Sequence, residues 1–309
     1  MAPYQAGMLG LGYFGLALWE GGKARRKSEK RVAKGNRLLY TKSVDYTFSE
    51  REYDWEVRCM RLVLLTALGI GGATVIGALL GFMFRRIPDK WHDGLMGFAA
   101  GVMLSAAMSG LILPAVDLVP KSGIWGVGLG MFLGAVFLNL IDVAMPHLHR
   151  ISGVDIEDHK NNERINKVLL FVLAVAIHNL PEGLAAGVAF GGEDITGAFA
   201  VAIGIVLQNI PEGMVIISPM LLAGIKPGRT LLLAISTGFV EVIGTLIGYT
   251  AAVASAAILP LSLSFAGGTM LYIVGDEMIP DTHSRGNEKL ATFAMMFGFF
   301  VMILVDKLL

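Results

Sequence analysis

Charge is scarce in this chain. Only 16% of its 309 residues are Asp, Glu, Lys or Arg, whereas 54% are hydrophobic and the mean hydropathy is +0.64. A soluble domain usually carries about 25% charged residues, so the composition predicts a membrane protein with the lipid bilayer as a partner. Basic and acidic residues balance at 25 each. A net charge of zero provides no field that attracts nucleic acid, and we expect none as a partner.

Cysteine is almost absent as well. Cys59 is the only one in the chain, which excludes an intramolecular disulfide framework and a zinc site built from several thiolates. The phosphate-binding pattern G-x-x-x-x-G-K-[ST] is also missing. The sequence therefore does not indicate a function driven by nucleotide hydrolysis.

Long apolar runs make up most of what is present. A helix needs about 20 mostly apolar residues to cross a bilayer, and eight runs after residue 59 meet this length. They lie near 60–84, 93–119, 123–145, 167–191, 195–224, 229–254, 256–279 and 290–309. We therefore predict an all-α membrane protein, with an eight-transmembrane-helix bundle over residues 59–309.

The distribution of basic residues predicts which side each loop faces. Lys and Arg concentrate after the first, third, fifth and seventh runs, and the opposite side carries only Lys121 and Lys307. Because cytoplasmic loops are rich in Lys and Arg, both ends of the bundle should face outward. Residues 1–58 form a separate N-terminal segment, a short apolar stretch followed by a basic stretch. That basic stretch conflicts with the charge rule.

A short polar motif occurs twice inside apolar runs, as HNLPEG at 178–183 and as QNIPEG at 208–213. The turn between the fourth and fifth runs lies midway between the two copies. In an antiparallel hairpin they would therefore meet at one depth, near the middle of the bilayer. His178 and Glu182 are four residues apart and share a helix face, and the second copy repeats this spacing.

Ionisable residues inside a membrane span are costly, and they indicate a functional site. The two motifs offer one imidazole, two carboxylates and three amides. These are His178, Asn179, Glu182, Gln208, Asn209 and Glu212. Glu241, inside the sixth run, adds a third carboxylate and would allow a second ion. Nitrogen and oxygen donors suit Zn²⁺, Mn²⁺, Fe²⁺ and, less selectively, Cd²⁺. The structural alternative is a pair of proline kinks whose polar groups join helices, but it leaves three ionisable residues unexplained.

The prolines of the motifs predict irregular helices. Pro181 cannot donate to the carbonyl of Ile177, nor Pro211 to that of Leu207, so the fourth and fifth helices should kink at the metal site. Backbone exposed at membrane depth is tolerated only against protein or a wet cavity. Many transporters build cation sites from such interrupted helices.

The two motifs resemble those of the ZIP family of divalent-metal transporters, in its bacterial GufA-like branch. The likeness covers roughly residues 60–309 and includes GFAAGVML at 97–104, LILPAVD at 111–117 and MIPDTH at 278–283. It implies an eight-helix fold with both ends outside and a place in the bacterial inner membrane. It also implies two metal positions, one of His178, Glu182, Gln208 and Glu212, and one of Asn179, Glu182, Asn209, Glu212 and Glu241. Many relatives carry Asp where this chain has Asn209.

The same resemblance implies a route for the ion. Asp117 corresponds to an entrance carboxylate, and Met103 and Ala106 line the way inward. Exit and loop positions follow on the cytoplasmic side, with a solvated helix end as the alternative for all but Asp142 and Glu277. They are Asp142, His147, His149, Asp276, Glu277, Asp281 and His283. We interpret His92 and Asp93 as the N-terminal cap of the second helix.

The leading hypothesis is a secondary transporter that moves Zn²⁺ or a related divalent ion (Fe²⁺, Mn²⁺ or Cd²⁺) into the cytoplasm. It requires no catalytic cofactor and no enzyme activity. The alternative is an intramembrane metal-dependent hydrolase, which needs an open metal position and a general base, although the pattern H-E-x-x-H is missing. A metal sensor reading through the loop 146–166 is a third hypothesis. The oligomeric state is open, with a homodimer as one candidate.

Overall fold

A computed structural model describes residues 46–84, 87–151, 162–192, 194–222, 224–255 and 257–309. The chain divides into two compact units, Met1–Cys59 and Met60–Leu309. Only residues 46–59 of the first unit are described, and they are helical. The predictions for residues 1–45 lie outside the described residues.

Ten α-helices and no strand occur in these ranges. The helices are α1 Tyr46–Phe84, α2 Asp89–Ala106, α3 Leu113–Asp117, α4 Ile124–Ile151, α5 Asn162–Phe190, α6 Ile195–Leu222, α7 Pro227–Ala254, α8 Leu259–Ile273, α9 Ile279–Thr282 and α10 Glu288–Leu308. A π-helical turn, Ala107–Ile112, joins α2 to α3, and a second, Val274–Met278, joins α8 to α9. π-Helical turns are rare in proteins as a whole, but those that occur often lie at functional sites.

Among the described residues, six helical segments are long and apolar enough to cross a membrane. They are Cys59–Phe84, Asp89–Asp117, Lys121–Ile141, Ile195–Leu222, Pro227–Ala254 and Glu288–Leu308. An all-helical membrane protein is thereby confirmed. The runs predicted near 167–191 and 256–279 are also helical, as α5 and as α8 with its extension, but their crossing of the bilayer stays a prediction.

The motif prolines lie inside continuous helices. Pro181 falls within α5, and Pro211 falls within α6 together with Pro219. Neither helix ends at its motif, so the site is presented by two long helices rather than by loops. The kinks expected at these prolines remain a prediction.

Glycine lets certain helices touch backbone to backbone. A Cβ atom would lie within 3 Å of a backbone atom of another helix at Gly71, Gly77, Gly187 and Gly248, all of which join helices among α1, α5, α6 and α7. We call these four helices the motif bundle. The same holds at Gly97, Gly101, Gly134, Gly268 and Gly298, which join α2 to α10 and α4 to α8. We call α2, α4, α8 and α10, together with the π-helical turns that follow α2 and α8, the companion bundle.

Contact between the two bundles is of a different kind. They meet mainly where α2 lies along α6 and where α5 lies against α8. At this boundary the described glycines face side chains instead of backbone. A Cβ at Gly110 would meet Val201 Cγ2 at 2.2 Å, and one at Gly204 would meet Met302 Sδ at 2.8 Å. Side chains can repack, whereas closely packed backbones cannot. The boundary between the two bundles can therefore change more readily than the contacts within each bundle.

Candidate metal site

The polar residues of the two motifs come together inside the motif bundle. The side chains of Asn179, Glu182, Gln208, Asn209 and Glu241 are buried, each with at most 1% of its surface exposed. Burying a carboxylate costs free energy unless it is paired or hydrogen bonded. The partners of these groups therefore indicate what the site is built to hold.

The last residue of each motif sets the distance between the helices. A Cβ on Gly183 would lie 2.2 Å from the carbonyl oxygen of Glu241, and one on Gly213 would lie 2.2 Å from that of Thr74. Atoms cannot approach so closely, and only glycine lets α5 lie on α7 and α6 on α1. We missed this packing role in the sequence, where the signal was a glycine at the same place in both motif copies.

Glu241 is hydrogen bonded through both of its carboxylate oxygens. Thr74 Oγ1 donates to Oε1 at 2.7 Å, and Asn179 Nδ2 donates to the same oxygen. Asn209 Nδ2 donates to Oε2 at 2.6 Å and also lies 3.4 Å from the carbonyl oxygen of Ile70. Three helices, α1, α5 and α6, thus hold one carboxylate that projects from α7.

The other polar atoms of the cluster are buried without hydrogen-bond partners among the described residues. By hydrogen-bond geometry they are His178 Nε2, Asn179 Oδ1, both oxygens of Glu182, Gln208 Oε1 and Nε2, Asn209 Oδ1 and Glu212 Oε1, although Glu182 and Gln208 lie close enough to interact with each other. Buried polar groups in proteins are normally satisfied, so such a group of orphan atoms needs an explanation. Nearly all of them are acceptors, and a divalent cation is the partner that carboxylate, amide and imidazole donors share.

Carboxylates and imidazoles alone do not complete such a site. Within the described part of the chain, no three His, Cys, Asp or Glu side chains form a group that could hold a metal ion. A cation bound here would also take amide oxygens, which Asn179, Gln208 and Asn209 supply.

His178 meets a residue from the companion bundle. Its Nε2 atom lies 2.7 Å from Oε1 of Glu277, although the pair is not aligned as a hydrogen bond. Glu277 belongs to the π-helical turn Val274–Met278. From the resemblance we expected Glu277 at an exit position near a helix end, and the structure places it directly beside the first motif. Its side chain is 32% exposed.

The remaining route residues are spread along the bundle. Met103 and Ala106 are fully buried in the apolar core, whereas Asp117 and Asp276 are exposed. His283 Nδ1 lies 2.8 Å from the carbonyl oxygen of Ile279, and its Nε2 lies 3.1 Å from Thr292 Oγ1. None of the described contacts links these residues to the motif side chains. For Asp142, His147 and His149, only their place in α4 is described.

The interpretation of His92 and Asp93 as a helix cap is wrong. Helix α2 begins at Asp89, a turn earlier, and Asp93 is fully buried. The Asp93 carboxylate accepts hydrogen bonds from Arg285 at 2.7 Å and from Asn287 at 2.9 Å. Asp93 forms an ion pair with Arg285, 192 positions away, instead of capping a helix. The local sequence alone cannot reveal such a long-range partner.

Arg285 also pairs with Asp281, whose Oδ1 lies 2.5 Å from Nη2. Burial of the guanidinium acts to lower the pKa of Arg285. Hydrogen bonds to Asp281 and Asp93 outweigh this effect and raise the pKa above its usual value. The cluster therefore fixes the loop before α10 against the start of α2 with a permanent positive charge.

Comparisons with known proteins show which family the chain belongs to. A family model described as ZIP zinc transporter matches residues 154–306. The zinc transporter GufA of Myxococcus xanthus is 38% identical over 249 residues, which cover 79% of this chain and 97% of the relative. This chain belongs to the ZIP family.

Two further ZIP relatives extend the match. The zinc transporter ZIPB of Bordetella bronchiseptica is 36% identical over 245 residues, covering 77% of this chain and 78% of the relative. The human zinc transporter ZIP11 is 32% identical over 319 residues, covering 76% of this chain and 93% of the relative. The resemblance to GufA-like ZIP proteins is thereby confirmed. These relatives carry transporter names, and the hydrolase alternative finds no support in them.

Proposed function

We propose that this ZIP protein is a secondary transporter that moves Zn²⁺ across the membrane into the cytoplasm. The observation that carries the proposal is a group of buried nitrogen and oxygen atoms inside apolar helices. These atoms could bind a metal ion and have no hydrogen-bond partners among the described residues. Zinc is the first candidate because the relatives are named as zinc transporters. Fe²⁺, Mn²⁺ and Cd²⁺ share the same donor preference and are the next candidates.

The ion binds between α5 and α6. His178 and Glu182 from the first motif and Gln208 and Glu212 from the second form its main position, and the amide oxygens of Asn179 and Asn209 can complete its coordination. Two carboxylates neutralise one divalent cation, so little net charge has to be buried in the bilayer. The imidazole adds the nitrogen donor that Zn²⁺ favours over harder ions.

The membrane arrangement belongs to the same proposal. Helix α5 and the segment from α8 to α9 cross the bilayer beside the six apolar segments, which gives eight spans with both ends outside. The distribution of Lys and Arg supports this orientation. Residues 59–309 form the transport domain, and a bacterial inner membrane is its proposed location because similar proteins occur in bacteria. Kinks at Pro181 and Pro211 leave backbone carbonyls free near the ion.

Movement of one bundle against the other exposes the site to each side in turn. Support comes from the packing. Backbone contacts at glycines join the helices of the motif bundle and pair α2 with α10 and α4 with α8, whereas the described glycines at the boundary between the bundles face side chains. Glu277 lies in the companion bundle and meets His178 of the motif bundle. A sliding motif bundle would therefore make or break this contact, and with it the access of His178 to the ion.

Uptake by purified protein in liposomes tests the proposal. With a zinc-sensitive dye inside the vesicles, we expect saturable uptake for the unchanged chain and its loss in His178→Ala. Thr250→Val is the matched control, because Thr250 is exposed and bonds only to the carbonyl of Ile247 in its own helix. Uptake no faster than in protein-free vesicles, or full uptake by the His178 variant, would contradict the proposal.

A further inference from the structure

We infer that the paired motifs hold a single ion, and that Glu241 positions the ligands of this ion instead of binding a second one. The inference rests on the proposed function and concerns the same site. Its basis is the hydrogen bonding of Glu241, which accepts from Thr74 and Asn179 at Oε1 and from Asn209 at Oε2.

With Glu241 ionised, the two asparagine side chains can face it in only one favourable way. An ionised carboxylate only accepts hydrogen bonds, and an amide donates only through its nitrogen. Turning either amide over would place two acceptors against each other. The Nδ2 atoms of Asn179 and Asn209 therefore face Glu241, and their Oδ1 atoms belong to the group without described partners.

These amide oxygens are available to a cation because Glu241 holds the amides by their nitrogens. Carboxylates behind metal ligands commonly play this part, since they fix the orientation of the ligand and raise its affinity. Glu241 then acts one step away from the ion. Its own charge is compensated by three donors, two amides and a hydroxyl, and charge-assisted hydrogen bonds of this type are strong.

Asn209 is the residue that removes the need for a second cation. With a carboxylate at position 209, two acceptors would face each other at the 2.6 Å separation seen between Asn209 and Glu241. Only a cation or a shared proton could lie between them. In this chain the amide hydrogens of Asn209 occupy that place. Glu182 and Glu212 remain to balance the charge of one divalent ion.

Zn²⁺ stoichiometry of the purified full-length protein in detergent tests the inference. Calorimetric titration should give one ion per chain for the unchanged protein and two for Asn209→Asp, where the new carboxylate faces Glu241. Two ions on the unchanged protein, or one on a folded Asn209→Asp variant, would overturn the inference while leaving transport intact. Absence of any binding would instead overturn the proposed function itself.

A positioning role also makes a prediction for Thr74, which touches Glu241 and is not a ligand in either scheme. Thr74→Val should weaken Zn²⁺ binding, but by less than the roughly tenfold loss expected when a group bonded directly to a metal ligand is removed, because Thr74 acts through Glu241. Thr74→Ser keeps the hydroxyl and should restore the affinity. Glu241→Gln should weaken binding with the stoichiometry still one. A drop from two ions to one in Glu241→Gln would show that Glu241 is a ligand. Equal affinities in all three Thr74 proteins would contradict a positioning role for the hydrogen bond between Thr74 and Glu241.

Discussion

Among single side chains, the contact between His178 and Glu277 joins the two bundles at the site. Nε2 of His178 is 2.7 Å from Oε1 of Glu277, and the same nitrogen is the donor proposed for zinc. A cation on His178 and a close Glu277 carboxylate therefore compete for one atom. We expect this competition to help the ion leave, since a transporter must release what it binds.

Glu277→Gln removes the charge and keeps the size of the side chain. We predict a lower maximal rate of zinc uptake with an equal or lower half-saturating concentration, because release becomes slower while binding is not weakened. Glu288→Gln is the matched control, since Glu288 is exposed at the start of α10 and lies outside the proposed route. Initial uptake rates over a range of zinc concentrations would measure both quantities. An unchanged maximal rate, or the same loss in the control, would remove Glu277 from the release step.

The packing of single helices depends on the glycine at the end of each motif. Gly183 places α5 on the backbone of α7 at Glu241, so a methyl group there pushes away the helix that carries the third carboxylate. We predict that Gly183→Ala lowers the free energy of unfolding by about 1–3 kcal/mol, the usual cost of overpacking, and weakens Zn²⁺ binding as well. Thermal unfolding in detergent and calorimetric titration would measure the two effects.

Gly72→Ala is the control for this substitution. Gly72 also lies in an apolar helix, but a Cβ there would have no other atom within 4 Å. Alanine is the better helix former, so stability should be unchanged or slightly higher. Equal unfolding temperatures for the two alanine variants would show that the close contact at Gly183 is not what positions α7.

Periodicity and motif spacing predicted the helices and the meeting of the two motifs well. Apolar runs located the six segments able to cross a membrane, because burial in lipid constrains every residue of a span. The sequence could not place Glu277 beside His178 or pair Asp93 with Arg285, since both contacts join distant parts of the chain. Nor did it show that Asn179 and Asn209 turn their nitrogens toward Glu241, which depends on how three helices pack.

For the whole molecule, the account requires the two bundles to move against each other. A Cβ on Gly110 would lie 3.6 Å from Cβ of Val201 across the boundary, within the range of about 3.5–4.5 Å found in disulfides. We predict that Gly110→Cys with Val201→Cys, in a Cys59→Ser background, forms a disulfide and stops zinc uptake. A reductant should restore uptake, which separates locking from misfolding. Full uptake by the oxidised protein would contradict movement at this boundary.

The most direct test of the central claim is zinc flux through a protein that lacks both motif carboxylates. Initial uptake into liposomes would be compared for the unchanged chain, for Glu182→Gln with Glu212→Gln, and for Glu288→Gln, an exposed glutamate at the start of α10. We predict saturable flux in the first and third proteins. The double variant should be no faster than protein-free vesicles while still eluting as a folded protein. Saturable flux at the unchanged rate in the double variant would contradict the account.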